Sequence, residues 1–190
     1  MVSDIKIEDL VQVWPHLSTA NLIPDSQLLT HPVQNYGNIL LRMKAKGKII
    51  IDILPEVQVS LELPGDTCYL NKMVAQKLNW ISKSLPSNIS LVILDAFRSS
   101  SIQKQKFQGC YNEMLKKYED PETAFQQASL YVAPVEIAPH CTGGAVDVCL
   151  AHNGIKLDFG SAYRTRNETS HSDYTGLPQE ILKNRILLFS

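Results

Sequence analysis

The stretch Pro139-His140-Cys141-Thr142-Gly143-Gly144-Ala145-Val146-Asp147-Val148-Cys149-Leu150 limits what this chain can become more than any other. It sets a histidine and an aspartate on either side of a Gly-Gly pair, with the aspartate inside an apolar run. Residues 145–150 alternate as a strand does, with Val146, Val148 and Leu150 on one face and Asp147 on the other. In one straight strand His140 and Asp147 would face opposite sides. The glycines permit a turn or bulge that returns His140 to the Asp147 face. An imidazole and a carboxylate brought together make two thirds of a three-ligand catalytic zinc site. The alternative is a loop histidine and an unrelated edge-strand aspartate.

The segment from His140 to Asp147 resembles the His-x-x-Gly-x-Ala-x-Asp metal motif of the D-alanyl-D-alanine dipeptidases, the zinc peptidases of the vancomycin-resistance type. Upstream, Leu94-Asp95-Ala96-Phe97-Arg98 resembles that family's strand ending in Asp-x-Tyr-Arg, with Phe97 for the tyrosine. Downstream, Leu157-Asp158-Phe159-Gly160-Ser161, Ser170-His171 and Asn184-Arg185-x-Leu-Leu also resemble family positions. The resemblance implies a zinc D,D-peptidase-like fold and a Zn2+ cofactor held by His140 and Asp147. It implies a zinc-bound water attacking the peptide carbonyl, with Arg98 stabilising the oxyanion. The implied substrate is a small dipeptide, D-alanyl-D-alanine, from cell-wall (peptidoglycan) precursor metabolism.

Two departures accompany the match. The family's Glu-x-x-Trp-His element carries its catalytic base and third zinc ligand and follows the Asn-Arg-x-Leu-Leu helix. This sequence ends at Ser190, before such an element, so a single domain over residues 1–190, truncated at its C-terminus, is expected. The family's aspartate for the substrate amino group is matched by Arg164, a charge reversal at an expected substrate-binding position. A second reading therefore stands beside the enzyme: a degenerate, non-catalytic domain that binds a peptide or peptidoglycan fragment.

A formal net charge of -1 gives no basic footprint for nucleic acid. There is no apolar run of membrane-spanning length. Acidic residues interrupt the N-terminus, Met1 to Asp9, so it does not read as a signal peptide. A cytoplasmic protein with neither a nucleic-acid nor a membrane partner is expected. Cys68, Cys110, Cys141 and Cys149 form no CxxC pair, and reduced thiols are expected.

Along the chain, residues 1–35 read as an irregular or short-helical lead-in, with Trp14 and His16 in packing or surface roles. Residues 38–44 and 48–54 suggest a hairpin around Lys46-Gly47, and residues 57–63 a third strand. Thr67 could cap a helix whose stripe is Leu70, Met73, Val74, Leu78, Ile81 and Leu85. Ile89 to Leu94 reads as a buried strand ending at Asp95 and Arg98. A helix capped by Ser99 to Ser101 follows, to about residue 118, and Glu119-Asp120-Pro121 starts another. Pro134 and Pro139 frame an extended lead to His140. Asn153-Gly154 signals a hairpin after the metal strand, and Pro178 opens a final helix. This order predicts an α+β domain, an antiparallel sheet with helices packed outside it.

Other side chains compete for roles. Arg98 sits at a strand end, where a guanidinium could bind an oxyanion or carboxylate; the alternative is a surface ion pair with Asp95. Cys141 adjoins His140, but neighbours on extended backbone point apart, which is poor geometry for a Cys-His pair. Cys149 could share the Asp147 face as a soft ligand or simply pack. His171 reads as a solvated loop residue, His152 as a nearby imidazole, and His16 and His31 carry no signal. Nothing in their spacing recommends Glu136 or Glu168 as bases.

Overall fold

In a computed structural model, residues 40–172 and 174–189 are described, together with residues 27 and 30. The rest of the N-terminal lead-in, with Trp14, His16, His31 and the first residues of the 38–44 strand, lies outside them. The chain divides into two compact units, one over residues 25–155 and one that includes residues 156–190.

The first unit is built on β4 (Ile89–Asp95), whose core residues Leu91, Val92 and Ile93 are each no more than 2% exposed. A strand covered on both faces needs a continuous apolar run, which Ile89 to Leu94 supplies. On one side β4 pairs in parallel with β2 (Ile49–Ile51), and on the other antiparallel with β5 (Asp147–His152). Asn153 and Gly154, at φ 51° and 82°, turn β5 back into β6 (Ile155–Lys156), as an Asn-Gly turn does. A separate two-stranded sheet joins β1 (Leu40–Lys44) antiparallel to β3 (Thr67–Asn71).

The mixed α+β class follows, with mostly antiparallel pairing, but the larger sheet is mixed because β2 runs parallel to β4. The expected 38–54 hairpin is replaced by a turn between sheets. Ile49 and Ile51 are buried and join the apolar centre, whereas β1 is largely exposed and takes β3 as its partner. Residues 57–63 are not a strand: α1 (Pro55–Ser60) begins at a proline whose fixed φ suits a first helical turn. Thr67 opens β3 rather than a helix. The cap of α2 (Lys72–Ser84) is Asn71, whose side-chain oxygen accepts from the Met73 amide at 2.9 Å. The stripe is only partly core, since Leu70 and Leu78 are buried while Met73 is 66% exposed.

α3 (Ser100–Tyr118) and α4 (Pro121–Ser129) fall where expected, with Ser99 and Asp120 as N-caps. They pack around Cys110, Met114, Ala124 and Ala128. No disulfide joins the four cysteines. No helix among the described residues is long and apolar enough to cross a membrane.

The second unit holds α5 (Gln179–Phe189). Arg185, 7% exposed, donates to three main-chain carbonyls: Phe159 at 2.8 Å, His171 at 2.8 Å and Thr169 at 2.5 Å. It ties the helix to the loop before it, and burial lowers its pKa.

Candidate metal centre

The site forms where β4 ends. The β4–β5 register shifts between Ile93 and Asp95, so Asp95 lies opposite Asp147. A bulge of this kind re-aims side chains at a strand end. Beyond it, the Phe97 amide donates to the Tyr69 carbonyl at 3.0 Å and the Arg98 amide to the His140 carbonyl at 3.2 Å.

The approach to His140 is not extended. Two short 3-10 turns, Val135–Ile137 and Pro139–Thr142, carry it, because each proline opens a tight turn as well as it opens a strand. Gly143 ends the second turn at φ 68°. Its carbonyl accepts from the Asn71 amide at 2.9 Å. A Cβ at Gly143 would sit 2.8 Å from that Asn71 nitrogen and 2.5 Å from Leu40 Cδ2. Glycine is thus required twice, for backbone conformation and for space.

This turn brings the two sequence-marked residues together. His140 Nε2 lies 3.4 Å from Asp147 Oδ1. The other ring nitrogen, Nδ1, is 2.7 Å from the Ala96 carbonyl. A carbonyl only accepts, so Nδ1 carries the proton in this pairing. With Nδ1–H given to that carbonyl, Nε2 is the ring nitrogen turned to the Asp147 carboxylate, able to donate to it in an ion pair or to share a cation with it. A main-chain carbonyl fixing Nδ1–H is also what orients a ligating histidine.

Arg98 is buried rather than on the surface. Its Nε pairs with Asp95 Oδ2 at 3.1 Å and its Nη1 donates to Gln103 Oε1 at 2.8 Å. Nη2 lies 3.7 Å from Asp147 Oδ2, an ion pair too long to be a hydrogen bond. Asp95, 1% exposed, also accepts from the Ala96 amide at 2.9 Å and from Lys106 Nζ at 3.0 Å. The Asp95–Arg98 pair exists, therefore, but as one part of a buried network that reaches Asp147.

Burial, above all, raises the Cys141 thiol pKa, against smaller lowering by Ser100 and Arg98, so it is a poor nucleophile at neutral pH. Cys149 is buried in the sheet, opposite Val92. His152 Nε2 pairs with Asn88 Nδ2 at 2.9 Å at the far end of β5. His171 and Arg164 belong to the second unit. His171 is exposed, and the Arg164 guanidinium lies 5.5 Å from the Tyr163 ring centroid. Glu136 and Glu168 are exposed in 3-10 turns. Among the described residues, no group of three His, Cys, Asp or Glu side chains could hold a metal ion. Two members of the network, Gln103 and Lys106, carried no sequence signal except their place on the inward face of α3.

The chain is similar to D-alanyl-D-alanine dipeptidase from Escherichia coli (strain K12), with 31% identity over 124 residues. The match covers 64% of this chain and 56% of that relative, so the chain spans little more than half the length of the curated protein it matches. No protein-family model matches the chain, and no solved structure matches it.

Proposed function

We propose that this chain is a zinc-dependent peptidase of the D-alanyl-D-alanine dipeptidase kind, acting on the D-alanyl-D-alanine dipeptide. His140 and Asp147 hold the metal and Arg98 works beside it. The observation that carries this reading is the approach of His140 Nε2 to Asp147 Oδ1, with Nδ1 already committed to a main-chain carbonyl. The partial similarity to the Escherichia coli dipeptidase supports it. One imidazole nitrogen and one carboxylate oxygen suit zinc, although a complete site needs a third donor. Zinc there would supply Lewis acidity for a peptide carbonyl and lower the pKa of a water towards ~7.

The chain's own residues do the rest. Ala96 O keeps His140 in the Nε2-accepting tautomer. Asp95 holds the Arg98 guanidinium by its Nε edge, so Nη2 keeps its donors for the negative charge that develops on a carbonyl oxygen. The sequence resemblance alone suggests Arg164 for the substrate's amino end, where its charge would disfavour a free ammonium. Calorimetry should show Arg164→Asp shifting preference from N-acetyl-D-alanyl-D-alanine towards the free dipeptide; equal preference in both proteins removes Arg164 from the site.

Release of D-alanine by the purified 190-residue protein tests the function. With two metal donors, turnover is expected to be slow, to stop with a chelator and to return with zinc. No release at millimolar dipeptide and excess zinc, or release indifferent to the chelator, would overturn the peptidase reading.

A further inference from the structure

We propose that Gln103 is a positioning residue that locks the Arg98 guanidinium to the loop carrying His140. Gln103 is 1% exposed and both ends of its amide are used. Oε1 accepts from Arg98 Nη1 at 2.8 Å, and Nε2 donates to the Ala133 carbonyl at 2.6 Å. The two bonds define the amide's orientation. Flipping it would set an NH2 group against a guanidinium and an oxygen against a carbonyl, both repulsive.

Ala133 lies two positions before the first of the two 3-10 turns, the second of which carries His140. One side chain from α3 thus spans the strand-end arginine and the histidine loop. Asp95 alone would hold Arg98 through Nε and leave its outer nitrogens free to shift. With Gln103 in place, two of the three guanidinium nitrogens are fixed on the buried side and Nη2 is left towards Asp147. A neutral amide does this without adding a second carboxylate to compete with Asp147 for the same charge.

Gln103→Met keeps the volume and removes both bonds. In 15N-labelled protein, the Arg98 side-chain resonances should be sharp and slowly exchanging in the wild type, and averaged in Gln103→Met. Gln103→Glu keeps an acceptor for Arg98 but sets an oxygen against the Ala133 carbonyl, so its Arg98 signals should be sharper than in Gln103→Met and broader than in the wild type. The kinetic arm rests on the peptidase reading. There kcat should fall about 10- to 100-fold with KM little changed, as for a misplaced catalytic group. In an Arg98→Lys background, Gln103→Met should add no further loss, because it acts through Arg98.

Unchanged Arg98 resonances in Gln103→Met, or a full additional loss in the Arg98→Lys background, would overturn the proposal. Should the wild type release no D-alanine, the peptidase reading fails, and the resonance comparison alone decides the role of Gln103. If Gln103→Met does not fold, Gln103→Asn takes its place, since the shorter amide cannot bridge both partners.

Discussion

Replacing His140 with alanine should weaken zinc binding by about 100-fold or more if the proposed centre holds the metal, because outer-shell losses alone cost 10- to 100-fold and this would remove a direct donor. Asp147→Asn should do nearly the same while keeping the side chain's shape. The carboxylate supplies charge as well as an oxygen, and an amide oxygen is a much poorer zinc ligand. Neither change should unfold the protein. The Asp147 side chain is 39% exposed, and the His140 ring's hydrogen bond into the protein is to the Ala96 carbonyl, while the main-chain bonds of His140 survive the substitution. Competition titration against a chromophoric chelator measures the affinity, and circular dichroism checks the fold. Zinc affinity equal to wild type in both variants would show that the metal lies elsewhere.

Asp95→Ala is expected to have the largest effect on stability. The carboxylate is almost fully buried and accepts from the Ala96 amide, Arg98 and Lys106. Removing it leaves the Arg98 guanidinium buried without its closest counter-charge. Breaking a buried pair from one side costs roughly 3 to 5 kcal/mol, a large part of the stability of a domain of ordinary size. The double variant Asp95→Leu/Arg98→Met should recover part of the loss, because the buried guanidinium is gone, while Lys106, the Ala96 amide and Gln103 still lose these partners. Urea unfolding of the three proteins is the measurement. An Asp95→Ala protein within ~1 kcal/mol of wild type would mean that water or Asp147 takes over the charge.

The sequence could be read where signals were local and strong. Ile89 to Leu94 is too apolar for anything but a covered strand. Ser99 and Asp120 mark helix starts by their side-chain chemistry, and Asn153-Gly154 marks a tight hairpin. Partner choice was not local. Nothing between Leu40 and Ile51 shows that β1 will pair with β3 and β2 with β4. Residues 57–63 alternate like a strand, yet the proline before them starts a helical turn, an ambiguity that periodicity does not resolve over so few residues.

The centre divides in the same way. The Gly-Gly pair between His140 and Asp147 announced a return of the chain, and the structure makes it through Gly143. Gln103 and Lys106 could not be found, because their role depends on how α3 lies against the end of β4. Arg98 was marked as a strand-end charge, but its burial was not.

The anchoring of Gly143 on the Asn71 amide bears on the order in which the molecule assembles. His140 and Asp147 are close in sequence, yet the bonds that set their geometry are distant. Asn71 reaches across to Gly143, Tyr69 holds Phe97, and the Ala96 carbonyl lies 44 positions before the His140 ring that it orients. Closing such long loops is costly before the contacts form, so these bonds are expected late in folding. The local His-to-Asp segment in an unfolded chain cannot be captured by zinc the way a zinc-finger peptide is. Zinc added during refolding should therefore leave the folding rate unchanged and slow only unfolding, because the metal has nothing to hold until β3 is in place.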